Sequence, residues 1–292
     1  MIGRPGMELQ FAPADRWQAT GPLAERALDF AHRWHRNRHQ RLAESATAAH
    51  VTIVRAAPEH SGLGTGTQLA MSVAAGLSAL FGTADPLADP VDLALAVERG
   101  RRSAVGSYGF CQGGLIVEAG KFPDEPIAPI VARCELPADW HFALITPQDT
   151  KGISGAAESR AFKRLEAVPA ETTARLSQEV LLKMLPAARL GQFEAFAESL
   201  YYYGRMAGEV FAPVQGGIYA TPELARMVLR LRGAGVRGVG QSSWGPTLFA
   251  LMPSQLAAEQ LAADVISNPS DVAWDARVTS VANHGAQLEV ES

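Results

Sequence analysis

The stretch HVTIVRAAPEHSGLGTGTQLAMSVAAGLSALFG, residues 50–82, constrains the fold more than any other. Its first eight residues alternate β-branched side chains and read as a strand over 50–57, which Pro58 ends because proline has no N–H for a ladder. Gly62, Gly64 and Gly66 then crowd into five residues. An Ala-rich run with Leu69, Val73, Leu77 and Leu80 on one face predicts a helix over 66–81. Glycines let successive N–H groups turn into one concavity, and a helix start adds unpaired N–H groups and a positive end. Ser61, Gly62, Leu63, Gly64, Thr65, Gly66 and Thr67 are therefore a candidate phosphate cradle, with Ser61, Thr65 and Thr67 as added hydroxyl donors. A glycine-rich turn without a ligand is the alternative. No GK[ST] follows, so this is no Walker loop, and GxGxG lacks the dinucleotide spacing.

The rest of the first half mixes strands with long helices. Leu23, Ala27, Phe30, Ala31 and Trp34 predict a helix over 21–46, and Pro90 opens a short helix over 90–99. Residues 113–120, 130–136 and 141–147 are strand candidates. Beyond Gly152, helices are expected at 155–166, 172–185, 190–209 and 222–234, the third following a break at "LPAARLG". A strand (236–240), a second glycine-bearing loop (241–247), a strand (248–252), a helix (254–267) and a hairpin-like pair complete the chain. Strands and helices are segregated rather than strictly alternating, which favours α+β. The predicted division is an N-terminal domain, 1–150, and a C-terminal domain, 151–292.

Composition narrows the function classes. Of 292 residues 47% are hydrophobic and 19% charged, ordinary values for a globular enzyme. A net charge of −4 argues against a nucleic-acid partner, and the basic run Arg33 to Arg41 reads as the solvated face of a helix. Cys111 and Cys134 have no metal-type spacing, and no apolar run is long enough to span a bilayer, so no membrane partner and a reducing cytoplasm are expected.

The order strand, PEHSGLGTGTQ, Ala-rich helix resembles the second signature of the galactokinase/homoserine kinase/mevalonate kinase/phosphomevalonate kinase (GHMP) superfamily, and RGVGQSSWGPTLFAL (237–251) takes the place of its third. Kinases of that superfamily carry a Glu that holds magnesium and, eleven positions on, an Asp that serves the substrate hydroxyl. Glu98 fits the first, but an ungapped count puts Gly109 at the second, and no Asp or Glu lies between Glu98 and Glu118. Phosphoryl transfer by a general base has lost its obvious carboxylate. An Asp from elsewhere, such as Asp149 or Asp15, would restore a kinase; a non-catalytic ligand-binding homologue is a further alternative.

The strings HSGLGTGTQLA, GRRSAVGSYGF, GISGAAESRAF, FAPVQGG and GVGQSSWGPTLFA, spread over nearly the whole chain, closely resemble the β-ribofuranosylaminobenzene 5′-phosphate synthase family. That resemblance implies a two-domain GHMP-kinase-like fold, with an N-terminal mixed sheet plus helices and a C-terminal ferredoxin-like α/β sandwich. It implies the joining of phosphoribosyl pyrophosphate to 4-aminobenzoate or 4-hydroxybenzoate, with release of CO2 and diphosphate, in tetrahydromethanopterin biosynthesis. A homodimer is implied only at family level.

Two demands of that reaction can be assigned to residues. Charge on the departing diphosphate would meet the glycine loop and Mg2+, with Glu98 as metal ligand or, alternatively, a solvated helix terminus. Arg101 and Arg102 would clamp carboxylate or phosphate, the alternative being an exposed basic turn. Tyr108, Phe110 and Trp244, read as loop residues, offer a surface for the aromatic ring, with core packing open for Phe110. Gln241, Ser242 and Ser243 would line the late loop as hydrogen-bond donors. His60 would shuttle a proton, meet phosphate or merely cap a turn, and Lys151 and Glu158 are further loop participants. Members of that family carry an additional N-terminal strand and glycine-rich turn before a segment like MIGRPGMELQ. The expectation is a start codon assigned too late or a shortened variant, leaving an unpaired sheet edge.

Overall fold

The computed structural model describes residues 1–38, 48–83, 85–148, 150, 152, 155–268 and 272–289. A three-stranded sheet forms first. Strand β3 (Ala49–Arg55) lies in its centre, antiparallel to β1 (Glu8–Pro13) and parallel to β2 (Gln18–Thr20). The expected strand at 50–57 is β3; β1 and β2 have no counterpart in the sequence reading. Helices α1 (Ala24–Arg38) and α2 (Thr65–Leu80) cover the sheet, burying Phe30, Trp34, Leu69, Val73 and Leu77 against Val51 and Ile53. The Trp34 indole N–H donates to Ser78 Oγ at 3.0 Å, which satisfies both of these buried polar groups. The outer part of the expected 21–46 helix lies outside the described residues.

Helix α3 (Pro90–Ala96) is capped by Asp89, whose carboxylate accepts from the N–H groups of Val91 and Asp92. The stretch expected to be a loop, from Glu98 onwards, contains a helix, α4 (Val105–Gln112). Two glycines weaken its intrinsic propensity, and tertiary contacts overcome that. The Glu118 carboxylate accepts the Ala104 N–H at 2.5 Å, serving its open N-terminus from strand β4 (Leu115–Glu118), and Tyr108 and Phe110 are buried in the core. Strand β4 pairs antiparallel with β5 (Ile130–Cys134).

The second half is built on a four-stranded antiparallel sheet of order β7-β8-β6-β9. Its strands are β6 (His141–Pro147), β7 (Gly238–Gln241), β8 (Leu248–Met252) and β9 (Trp274–Ser280). In sequence order this is the ferredoxin-like arrangement, with the first strand lying between the third and fourth. Strand β6 precedes the division drawn at residue 150, yet it pairs with both β8 and β9, so the border between halves runs before His141. The hairpin expected at the end is instead β9 alone among the described residues, paired with β6.

Helices α9 (Pro222–Gly233) and α10 (Gln255–Ser267) bury Leu224, Met227, Leu231 and Val265 against this sheet, each starting on a hydroxyl cap, Thr221 and Ser254. Ahead of them run α5 (Gly155–Arg164), α6 (Ala170–Glu179) and α7 (Leu185–Arg189), the last two joined by a π turn, Val180–Met184. The "LPAARLG" break is thus mostly helix, and the chain interrupts only over Leu190–Gln192 before the long helix α8 (Phe193–Gln215). Among the described residues no helix is long and apolar enough to cross a membrane.

Candidate functional site

The loop joining β3 to α2 is held from both halves of the chain. Gly62 has a φ of +78°, and a Cβ there would collide with the carbonyl oxygens of Ser242 and Gly245 in the late loop. Only glycine meets both conditions. Ser242 Oγ donates to the Gly62 carbonyl at 2.9 Å, and the His60 carbonyl accepts the Gly152 N–H at 2.8 Å. Three non-glycine residues around this junction, His60, Glu98 and Ser243, have φ between 53° and 59°. Left-handed backbone costs such residues about 1–2 kcal/mol each, and strain of this kind collects at functional sites.

Helix α2 starts at Thr65 behind Gly64, with no side chain capping it. The Gly64 carbonyl accepts from the N–H groups of Thr67 and Gln68, while those of Thr65 and Gly66 have no acceptor in the helix. The hydroxyls of Ser61 and Thr65, expected to serve an anion, both donate to the Pro58 carbonyl, at 3.0 and 2.6 Å. A hydroxyl has one proton to give, so these two shape the loop itself.

The late loop is braced in the same way. Gln241 accepts the Ala220 N–H at 2.7 Å and donates to the Ser243 carbonyl at 3.0 Å; with Ser242 committed to Gly62, only Ser243 is exposed. Trp244 does lie in a loop, but it is buried, edge-on to Phe211 (4.9 Å between centroids) and Phe162 (5.3 Å). Tyr108 and Phe110 lie on α4 rather than in a loop. The Tyr108 hydroxyl donates to the Ala128 carbonyl at 3.0 Å, and burial raises its pKa, so this ring is a core residue and not a surface for substrate.

Arginines dominate the ground in front of α2. A Cβ on Gly66 would lie 2.9 Å from Arg26 Nη2 and 3.5 Å from Arg99 Nη2, so two guanidiniums stand against the helix's first turn. Arg26 pairs with Glu59, Arg33 with Glu98 (3.4 Å) and Asp29 (2.7 Å), and Arg102 with Glu158 (3.2 Å). Arg99 and Arg33 both lie over the Phe30 ring, and Arg102 lies over Phe162 at 4.8 Å. Burial, then the charges of Arg26, Arg33 and Arg102, hold the Arg99 guanidinium below its ordinary pKa, with Glu158 opposing. Arg101 is exposed, and its carbonyl accepts from Lys121 Nζ. His60 is exposed at the loop's edge, and Lys151 and Asp149 lie outside the described residues. Arg33, read as part of a solvated basic face, turns inward to this site, and Arg38 pairs with Asp92.

Among the described residues no three His, Cys, Asp or Glu side chains come together as a metal site. Glu98 is half-exposed beside Arg33. A single carboxylate fits a magnesium ion that brings waters and phosphate oxygens as its other ligands, and does not fit a resident all-protein cage.

A glycine loop at the start of α2, locked to a second glycine loop from a ferredoxin-like half, is matched by comparison with known families. The GHMP kinases N terminal domain matches residues 24–114, and the GHMP kinases C terminal domain matches residues 184–271. The chain belongs to the GHMP kinase family. A homoserine kinase from Cytophaga hutchinsonii superposes with a TM-score of 0.64 over 97% of this chain and 89% of its own, at 17% identity, a likeness of fold. Two curated relatives are more informative about the branch. The chain is 31% identical to β-ribofuranosylphenol 5′-phosphate synthase of Methanothermobacter thermautotrophicus over 69% of this chain and 63% of that one. It is 28% identical to the Archaeoglobus fulgidus protein of the same name over 83% and 77%. The chain thus spans about two thirds to three quarters of the length of these relatives.

Within this GHMP scaffold, the kinase-type carboxylate position counted from Glu98 falls at Gly109, on α4, where a side chain would collide with Met1. The residues that the sequence reading missed are Arg26 and Arg99. A signal existed for the first: Arg26, Phe30 and Arg33 recur at helical spacing, which puts two arginines on the face that carries a core aromatic. Nothing comparable marked Arg99 apart from its neighbours Arg101 and Arg102.

Proposed function

We propose that this chain is a decarboxylating C-ribosyltransferase that joins 5-phosphoribosyl 1-diphosphate to 4-hydroxybenzoate or 4-aminobenzoate in tetrahydromethanopterin biosynthesis. The observation that carries the reading is the site's charge pattern. The glycine loop faces guanidiniums, and its carboxylates Glu59, Glu98 and Glu158 are each engaged by an arginine, which suits holding an anion and not deprotonating an alcohol. The similarity to β-ribofuranosylphenol 5′-phosphate synthases supports the same branch.

In this reaction the bond from ribose C1 to the diphosphate oxygen breaks and the diphosphate leaves with the electron pair. C1 bonds to the ring carbon that bears the carboxylate. The bond from that carbon to the carboxyl group then breaks, its electrons return to the ring and CO2 departs. No oxidant or reductant is needed. The N–H groups at Thr65 and Gly66 would take up charge as the C1–O bond opens, and a magnesium ion, when bound, would supply further neutralisation there. The para hydroxyl or amino group of the acceptor makes the attacked carbon electron-rich. Arg102, paired with Glu158 and lying over Phe162, would orient the acceptor's carboxylate.

The test is incubation of the protein with magnesium, phosphoribosyl diphosphate and carboxyl-labelled 4-hydroxybenzoate or 4-aminobenzoate. Labelled CO2 with stoichiometric diphosphate is expected. ADP formation from ATP and an alcohol, without CO2 release, would replace this reading with a kinase, and binding without turnover would leave a ligand-binding homologue.

A further inference from the structure

Of the four arginines grouped at the start of α2, Arg99 alone has no carboxylate partner among the described residues. Its Nε is buried and makes no hydrogen bond among the described residues. The side chain is pinned over Phe30, 4.8 Å from the ring centroid, and its Nη2 end stands with that of Arg26 against Gly66. The charges of Arg26, Arg33 and Arg102 oppose its own, only partly offset by Glu158, and an anion between these guanidiniums would relieve that repulsion. The helix start it faces lacks a side-chain cap, and the N–H groups of Thr65 and Gly66 have no acceptor among the described residues, both of which suit an anion. A fork of fixed donors matches the paired oxygens of a phosphate group better than any point charge.

We propose that Arg99, with Arg26, is the diphosphate clamp of this protein. Arg99 spans two non-bridging oxygens of the diphosphate, and Arg26 exchanges Glu59 for a third. The N–H groups of Thr65 and Gly66 hold the other side. This rests on the reading of the glycine loop as a diphosphate cradle, and it assigns the neutralising charge to side chains that lie outside the loop.

The test is calorimetric titration of the full chain with inorganic diphosphate, without benzoate, alongside thermal melting. Arg99→Met should weaken diphosphate binding at least tenfold, and Arg99→Lys should recover only part of that loss. Without ligand, Arg99→Met should melt no lower than the parent, because a repelled charge has gone; with diphosphate it should lose most of the parent's upward shift. Arg175→Met, an exposed change on α6, should leave binding unaltered. Binding by Arg99→Met within twofold of the parent, or a lowered melting temperature with the diphosphate shift intact, would overturn the clamp. A parent that fails to bind diphosphate would overturn it as well. Loss of CO2 release while Arg99-dependent diphosphate binding persists would count against the ribosyl transfer alone. Tighter, Arg99-dependent binding of ATP than of phosphoribosyl diphosphate would keep the clamp and transfer it to a kinase.

Discussion

The hydroxyl of Ser242 donates to the carbonyl of Gly62, a residue 180 positions earlier, and so ties the late loop of the C-terminal half to the glycine loop of the N-terminal half. The glycine loop is therefore braced by a contact that exists only where the two halves meet. Ser242→Ala should cost about 1 kcal/mol of global stability, the worth of a typical hydrogen bond, and leave the Gly62 carbonyl short of a partner. Chemical denaturation reads the first effect. Weaker diphosphate binding with secondary structure unchanged by circular dichroism reads the second.

Gly62 and Gly64 should respond differently to the same substitution. Both have left-handed backbone, which costs an alanine about 1 kcal/mol. At Gly64 a methyl group meets nothing within 4 Å, whereas at Gly62 it strikes the Ser242 and Gly245 carbonyls. Gly64→Ala should lower stability by about 1 kcal/mol, and Gly62→Ala by about 3 kcal/mol or more, since backbone must shift as well. Equal losses in urea melts would show that the loops do not touch in solution.

Glu98 should report on magnesium through its partner Arg33. Glu98→Gln should raise the magnesium concentration needed for half-maximal turnover several-fold while leaving diphosphate binding without metal unchanged. A titration of activity against magnesium, repeated with a chelator control, decides this; an unchanged requirement would leave Glu98 as no more than Arg33's counter-charge.

Cys111 should be inert in the folded protein. Burial pushes its thiol pKa up to about 12, against 9.0 for an ordinary cysteine. Its stabilising contribution is full below the unfolded pKa near 9 and is lost as pH climbs from there towards 12, because only the unfolded chain then sheds the proton. Alkylation at pH 8 should label Cys111 only after denaturant is added, and the unfolding midpoint should fall between pH 9 and pH 11.

Much of this was legible in the chain. Strand β3, the glycine loop and α2 follow from alternation, Pro58 and helical spacing, and the late loop from its glycines. Strands β1 and β2 were not, because ELQFAPADRWQAT has no sustained alternation and becomes extended only by pairing with β3. Helix α4 was hidden by Gly106 and Gly109, which give little local helical bias; Glu118 and the burial of Tyr108 supply what propensity does not. Tyr108 was misplaced for the same reason. The arginine group was unreadable as a group because Arg26 and Arg33 come from α1 and Arg99 and Arg102 from the stretch after α3, and the mutual packing of α1, α2 and α3 brings them together.

The pairing of Arg26, Arg33 and Arg102 with Glu59, Glu98 and Glu158 has a kinetic consequence. From a distance of more than a Debye length the group is nearly neutral, in a chain whose net charge is −4. A polyanion approaching through solution would thus feel little pull, and its charges would be recognised only at contact, if the arginines change partners as proposed. Capture should accordingly be slow for so charged a ligand and nearly indifferent to ionic strength, while release should be the step that salt accelerates.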